Sequence, residues 1–233
     1  MVLLGIMRLG VRVIKLNIGC GSNVFPGWVN LDREDMTGYL TAVAGCDDGA
    51  LATWPEHQQV LAAQLRAGLI TCDLCDLRKG FAQYADSSVD AIYLGQIIEH
   101  LNPIYEAPSL MSHCMRMLKP GAPIRITTPD LGLILEHYLT GKMGDFAKEQ
   151  PEFYTGCVPS MQFSMLLFGS GGPKCTWDHY EGHMAAFDGA SMHALLTISG
   201  FVDISFDKKS PEFDDCIDQG MSHSMGAEGR RPL

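Results

Sequence analysis

The chain has 233 residues, 46% of them hydrophobic and 19% charged, enough for one sizeable core and short for two full domains. Lys and Arg number 17 against 27 Asp and Glu, a formal charge of -10, which argues against a basic groove for nucleic-acid phosphates or anionic lipid. The apolar runs are too short for a membrane span, and Arg8 and Arg12 break the opening stretch with no small-residue cleavage site after it. Eight cysteines scattered along the chain do not make a disulfide framework and read as reduced thiols of a cytoplasmic protein.

Residues 12–18 form a β-branched run that ends at Gly19-Cys20-Gly21-Ser22, a strand entering a tight glycine turn. Trp28-Val29-Asn30-Leu31-Asp32 follows so soon that only a short helical turn fits between, and it ends on a carboxylate. Residues 33–68 are polar and glycine-rich and read as an insertion with one helix near 58–66. Residues 69–73 and 89–94 are strands three and four. Leu110, Met111, Cys114, Met117 and Leu118 then recur at three- and four-residue intervals, a helix over 109–118 stopped by Pro120-Gly121.

Residues 124–128 give strand five, 131–139 and 191–198 give helices, and 201–206 gives strand six. The stretch 142–178 is rich in Gly, Pro, Phe and Met without a clean period, the signature of an irregular lid or substrate wall. The tail after residue 210 is weakly patterned, with room for a last edge strand or partial disorder. Alternating strands and helices predict a single α/β domain over 1–233, a doubly wound, mostly parallel sheet with insertions at about 33–68 and 142–178. Ligands of such sheets sit beyond the strands' carboxyl ends, where the Gly19 turn, Asp32, Asp73, Gln96 and Asp130 fall.

Gly19-x-Gly21 lets the backbone turn sharply and approach an anion. A dinucleotide fingerprint wants a third glycine where Val24 stands and an acid about 20 residues onward, whereas Asp32 follows far sooner. A carboxylate ending strand two can accept both ribose hydroxyls, and one ending strand three can accept from an adenine amino group. Together these residues describe a pocket for an adenosine with an anionic tail and no pyrophosphate.

Leu16-Asn17-Ile18-Gly19-Cys20-Gly21, Gly27-Trp28-Val29-Asn30-Leu31-Asp32, Ile98-Glu99-His100-Leu101, Leu118-Lys119-Pro120-Gly121 and Thr128-Pro129-Asp130-Leu131 together resemble the class I S-adenosylmethionine-dependent methyltransferases. The likeness is to the small-molecule, type 11-like group of saccharide and natural-product pathways, and it resumes at the His183 to Phe201 segment. It implies a Rossmann-like sheet of seven strands with the last antiparallel, and S-adenosyl-L-methionine as cofactor. It also implies a small-molecule acceptor methylated at oxygen or nitrogen, with neither nucleic acid nor membrane as partner.

By carry-over, Gly19 and Gly21 face the methionine part, Asp32 the ribose, Asp73 and the Leu74 amide the adenine, Gly95 and Gln96 flank the sulfonium, and Asn17 and Cys20 count among the cofactor-binding residues. Asn17 stands where many relatives have an acid, Gln96 where close ones have histidine, and Ala122 where they have a second glycine. His100 is the candidate base for a hydroxyl acceptor, with a helix cap or a buried hydrogen-bonded histidine as the competing structural roles. Tyr154, Trp177, His179, Tyr180 and His183 are candidate acceptor contacts, against packing and a lid hinge.

Cys175, His179 and His183 have a loose metal-ligand spacing too weak to assign, so no metal is expected, and Cys72-x-x-Cys75 reads as bystander thiols. A non-catalytic S-adenosylmethionine-binding regulatory protein and a nucleotide-dependent oxidoreductase are the competing functions. Gln96 and the unusual tail leave room for the first.

Overall fold

The computed structural model describes residues 13–21, 23–33, 37–53, 56–68, 70, 72–76, 80–149, 154, 156–169, 182–206, 208–216, 218 and 222–233. Its centre is a seven-stranded sheet: β1 (Lys15–Ile18), β2 (Val29–Asp32), β3 (Cys72–Leu74), β4 (Ala91–Gly95), β5 (Pro123–Pro129), β6 (Val202–Phe206) and β7 (Ser224–Arg230), in spatial order β3-β2-β1-β4-β5-β7-β6. The first five strands run parallel, and β7 is antiparallel to both β5 and β6. The strand order reverses between β1 and β4. That is where a doubly wound sheet opens a crevice at the carboxyl ends of its strands.

The strands are short apolar runs because neighbours and helices cover both of their faces. Leu16, Ile18, Ile92 and Leu94 are fully buried in the main core, while Phe25, Trp28, Tyr93 and Phe213 form a second cluster. Helix α4 (Glu106–Met117) buries Ala107, Leu110, Met111, Cys114 and Met117 along one stripe. It starts three residues before the predicted helix, because Pro108 in a first turn loses no hydrogen bond and the Asn102 amide donates to Glu106 Oε2 at 2.8 Å.

The first insertion holds three helices rather than one: α1 (Thr37–Gly45), α2 (Asp48–Leu51) and α3 (Glu56–Arg66). Threonine, glycine and alanine give α1 little polar contrast. The helix is held by tertiary contacts, with Leu40 and Val43 packed near Leu61 and Leu65, and Arg66 Nε donating to the Ala44 carbonyl at 2.7 Å.

Beyond β5, Asp130 caps α5 (Leu131–Leu139) by accepting from the Gly132 and Leu133 amides, which gives it a structural task at the ligand end of the sheet. The second insertion contains α6 (Gly144–Ala147) and α7 (Pro159–Phe168) and is less irregular than its sequence suggests. Helix α7 opens with Pro at a position that needs no amide. Its run of Met, Phe and Leu is apolar on nearly every side, so no period shows. Helix α8 (Gly189–Ile198) begins with a capping box in which Asp188 accepts from the Ser191 amide at 2.8 Å.

The tail supplies β7, and this overturns the expected edge strand: β7 lies inside the sheet, between β5 and β6, and is buried over most of its length. Ser-Met-Gly-Ala-Glu-Gly-Arg has no β-branched residue, so its conformation comes from the two ladders that flank it. Its glycines are space-makers. A Cβ on Gly226 would lie 2.6 Å from Arg125 Nη2, and one on Gly229 would lie 3.1 Å from Phe201 Cβ. Arg125, 4% exposed, forks onto Asp218 at 2.9 and 2.6 Å and reaches Glu228 of β7 at 2.8 Å. These ion pairs hold the segment before β7 on the sheet.

Candidate active site

The turn after β1 is shaped by backbone geometry. Gly19 and Gly21 have φ of 69° and 48°, and the Gly19 and Cys20 amides both donate to the Leu31 carbonyl, folding the loop across the end of β2. Asp32 Oδ2 accepts from the Gly21 amide at 2.7 Å, so the carboxylate ending β2 also fixes the turn. Asn17 is buried, and its amide donates to the Asn23 carbonyl at 2.7 Å and to Asn30 Oδ1 at 2.9 Å. Asn30 Oδ1 in turn accepts from the Phe25 amide at 2.8 Å. A neutral side chain at position 17 thus braces the loop from beneath.

Cys20 is buried beside Cys72, with 3.3 Å between the sulfurs, and burial together with that neighbour pushes its thiol pKa up. It is poorly suited to be a thiolate. The seven described cysteines are all free. Asp73 sits exposed in the middle of β3, one residue short of the strand's end, with the Leu74 backbone after it. Gly95 closes β4 over the Tyr93 ring, 2.5 Å from where a Cβ would be. Gln96 has φ 53°; its amide donates to the Thr127 carbonyl at 2.8 Å and its side chain to Ser224 Oγ at 3.3 Å.

Past Gln96, a single 3-10 turn at Ile98–His100 places Glu99 and His100 at the other side of the crevice. The Glu99 carbonyl accepts from the Met184 and Ala185 amides at 2.7 and 3.1 Å, and this brings His183 against His100, with ring centroids 4.9 Å apart. Glu99 is 1% exposed; Thr128 Oγ1 donates to its Oε2 at 3.1 Å, while Oε1 is buried without a hydrogen-bond partner among the described residues.

Burial raises the Glu99 pKa to about 7, partly offset by hydrogen bonds from its own backbone and from Thr128. Burial lowers that of His183 to about 4, helped by the neighbouring His100 and opposed by hydrogen bonds to the Leu167 and Leu166 backbone. Both groups line a small cleft whose other walls include Ile134, Leu166, Ala185 and Thr128. The cleft brings one carboxylate and one imidazole together in apolar surroundings.

Sequence reasoning picked out His100 and His183 but passed over Glu99 and Thr128, although the carboxylate next to His100 in an otherwise apolar turn was a usable signal. Tyr154 is 5% exposed and packs with Ile134, Met143, Phe146 and Leu166 beside the cleft. Trp177, His179 and Tyr180 lie outside the described residues, as does Cys175.

Residues 16–126 match the methyltransferase domain family, a span that runs from the glycine turn through the acid ending β2 to the 3-10 turn and β5. Over that span, just under half of its length, the chain is similar to methyltransferase domains.

No curated protein matches this chain in sequence. Similar solved structures include a SAM-dependent methyltransferase from Archaeoglobus fulgidus, 12% identical over 94% of this chain and 86% of that one, TM-score 0.47. Another, from Methanosarcina mazei, is 16% identical over 97% and 95%, TM-score 0.48. A third is the phosphoethanolamine N-methyltransferase 2 of Haemonchus contortus, 13% identical over 97% of this chain and 50% of that one, TM-score 0.47. This chain spans half the length of the last. Among the described residues no helix is long and apolar enough to cross a membrane.

Proposed function

We propose that this protein is a methyltransferase that moves the methyl group of S-adenosylmethionine to an oxygen or nitrogen of a small polar molecule such as a saccharide or a natural-product intermediate. The observation that carries the reading is the cleft at the carboxyl ends of β4 and β5, where Glu99 and His183 meet apolar walls and His100 stands against His183. The net charge of -10 fits no polyanionic acceptor.

On this reading the turn at Gly19 and Gly21 receives the methionine end of the cofactor, Asp32 the ribose, Asp73 and the Leu74 amide the adenine, and Gly95 and Gln96 flank the sulfonium. Transfer is an in-line displacement, so alignment of acceptor and methyl carbon supplies most of the rate. His100 and His183 meet the polar atom of the acceptor.

Calorimetric titration with S-adenosylhomocysteine, with NADH as comparison, tests the cofactor half. Micromolar binding of the first alone is expected. Asp32→Ala removes the ribose acceptor and the partner of the Gly21 amide, and is expected to weaken that binding by about 1.5–3 kcal/mol, roughly ten- to hundredfold in Kd. Unchanged affinity would place the ribose elsewhere.

The acceptor half is tested by screening hydroxylated and amino small molecules for methylated product and then assaying His100→Ala. Turnover is expected to fall by about 10²–10⁴ while cofactor affinity stays within a few fold. Equal loss of both would make His100 a structural residue.

A further inference from the structure

We infer that Glu99, His100 and His183 together form a binding site for a divalent transition-metal ion of the Zn²⁺ or Co²⁺ kind. One ligand atom from each of these side chains lies within 4.8 Å of the other two. Around an ion with bonds of about 2.0–2.2 Å, the three donors of a tetrahedral face stand roughly 3.5 Å apart. The site is therefore slightly open, and closing it needs small rotations of two half-buried imidazoles rather than backbone movement.

The second observation is Glu99 itself. Its Oε1 is buried and unpartnered among the described residues. A buried carboxylate oxygen left without a partner carries a desolvation cost that a bound cation would remove. The other oxygen is held by Thr128 at 3.1 Å, and the His183 ring is held by the backbone of Leu166 and Leu167. Such outer contacts orient metal ligands. The main chain fixes the spacing independently of any ion, because the Glu99 carbonyl ties down Met184 and Ala185, the two residues after His183, whose own amide donates to the Phe168 carbonyl.

Two imidazoles and one carboxylate are the donor set of a catalytic rather than a structural zinc site, which keeps a fourth position open. That position would face the cleft where the acceptor is proposed to bind. The ion's part in transfer rests on the methyltransferase reading, whereas its binding does not. An acceptor hydroxyl bound to the ion loses its proton to water, and the alkoxide oxygen forms a bond to the methyl carbon as the carbon–sulfur bond breaks with its electron pair passing to sulfur. Ether, S-adenosylhomocysteine and one proton result. His100 then acts on the acceptor as a ligand of the ion.

The test is titration of the full chain, freed of metal with a chelator, with Co²⁺ alone, followed by visible d–d absorption and displacement by Zn²⁺. One equivalent is expected, with the intense visible bands of a four-coordinate nitrogen and oxygen site. Glu99→Gln and, separately, His183→Gln are expected to weaken binding at least a hundredfold while S-adenosylhomocysteine affinity and circular dichroism stay unchanged. The half-exposed His100→Asn serves as a third variant should a buried one misfold. No stoichiometric binding, binding undiminished in the folded variants, or near-ultraviolet thiolate charge-transfer bands that place the ion on cysteines would overturn the site. Failure of the methyltransferase reading would appear separately, as loss of S-adenosylhomocysteine binding by the unaltered chain.

Discussion

Arg125→Ala is expected to destabilise the fold by about 3–5 kcal/mol, the usual cost of removing one partner from a buried ion pair. The guanidinium is 4% exposed in the centre of β5 and serves two carboxylates, Asp218 and Glu228, besides the Lys208 carbonyl at 3.2 Å. Glu228 keeps Ser210 as a donor, but it stays buried with no cation against it among the described residues. Because Asp218 and Glu228 lie before and within β7, the loss falls on the β5–β7 ladder. Urea unfolding measures it, and a midpoint close to that of the unaltered chain would mean the network is solvated and of little weight. Adding Glu228→Gln to Arg125→Ala is expected to return part of the loss, since it removes the stranded charge.

Gly19→Val is expected to damage both stability and cofactor binding. The position has φ of 69°, which costs an L-residue about 1–2 kcal/mol, and a β-branched side chain suits it least. A Cβ there would also lie 2.7 Å from Ile97 Cγ1 and 3.1 Å from its Cβ, an overlap worth about 1–3 kcal/mol more that Ile97 cannot relieve by turning its tip alone. The loop would swing off the Leu31 carbonyl, and S-adenosylhomocysteine binding is expected to fall below calorimetric detection. Gly21→Ala is the control. It has a positive φ of 48° but nothing within 4 Å, so only the backbone part of the penalty applies. Equal behaviour of the two variants would show that the Ile97 contact is unimportant and that conformation alone governs the turn.

The outcome at these two positions bears on how the site is built. Asn17, Asn30 and Asp32 make side-chain hydrogen bonds under and beside the glycine turn, so the proposed cofactor end is organised within about one turn of chain and two adjacent strands. The proposed acceptor end is organised differently. Glu99 and His183 are far apart in sequence, and their meeting depends on the amides of Met184 and Ala185 reaching one carbonyl. Local substitutions should therefore affect cofactor affinity directly, whereas the acceptor end should also respond to changes in the packing of α5 and α7.

What the sequence determined by itself were the features with a local cause. Strands buried on both faces appear as short apolar runs, the glycine turn is demanded by positive φ, and Asp32 stands at the end of a strand whose limits its own residues set. Helices with a polar and an apolar face, α4 and α5 among them, were legible for the same reason. Tertiary structure decided the rest. Helices α1 and α7 lack polar contrast, and β7 lacks β-branched residues, so each is held in place by partners remote in sequence. The pairing of β7 with β5 and β6, the burial of Arg125 over Gly226, and the grouping of Glu99 with His100 and His183 arise from packing between distant segments. A hydrophobic period reports which face of an element is buried, but not what buries it.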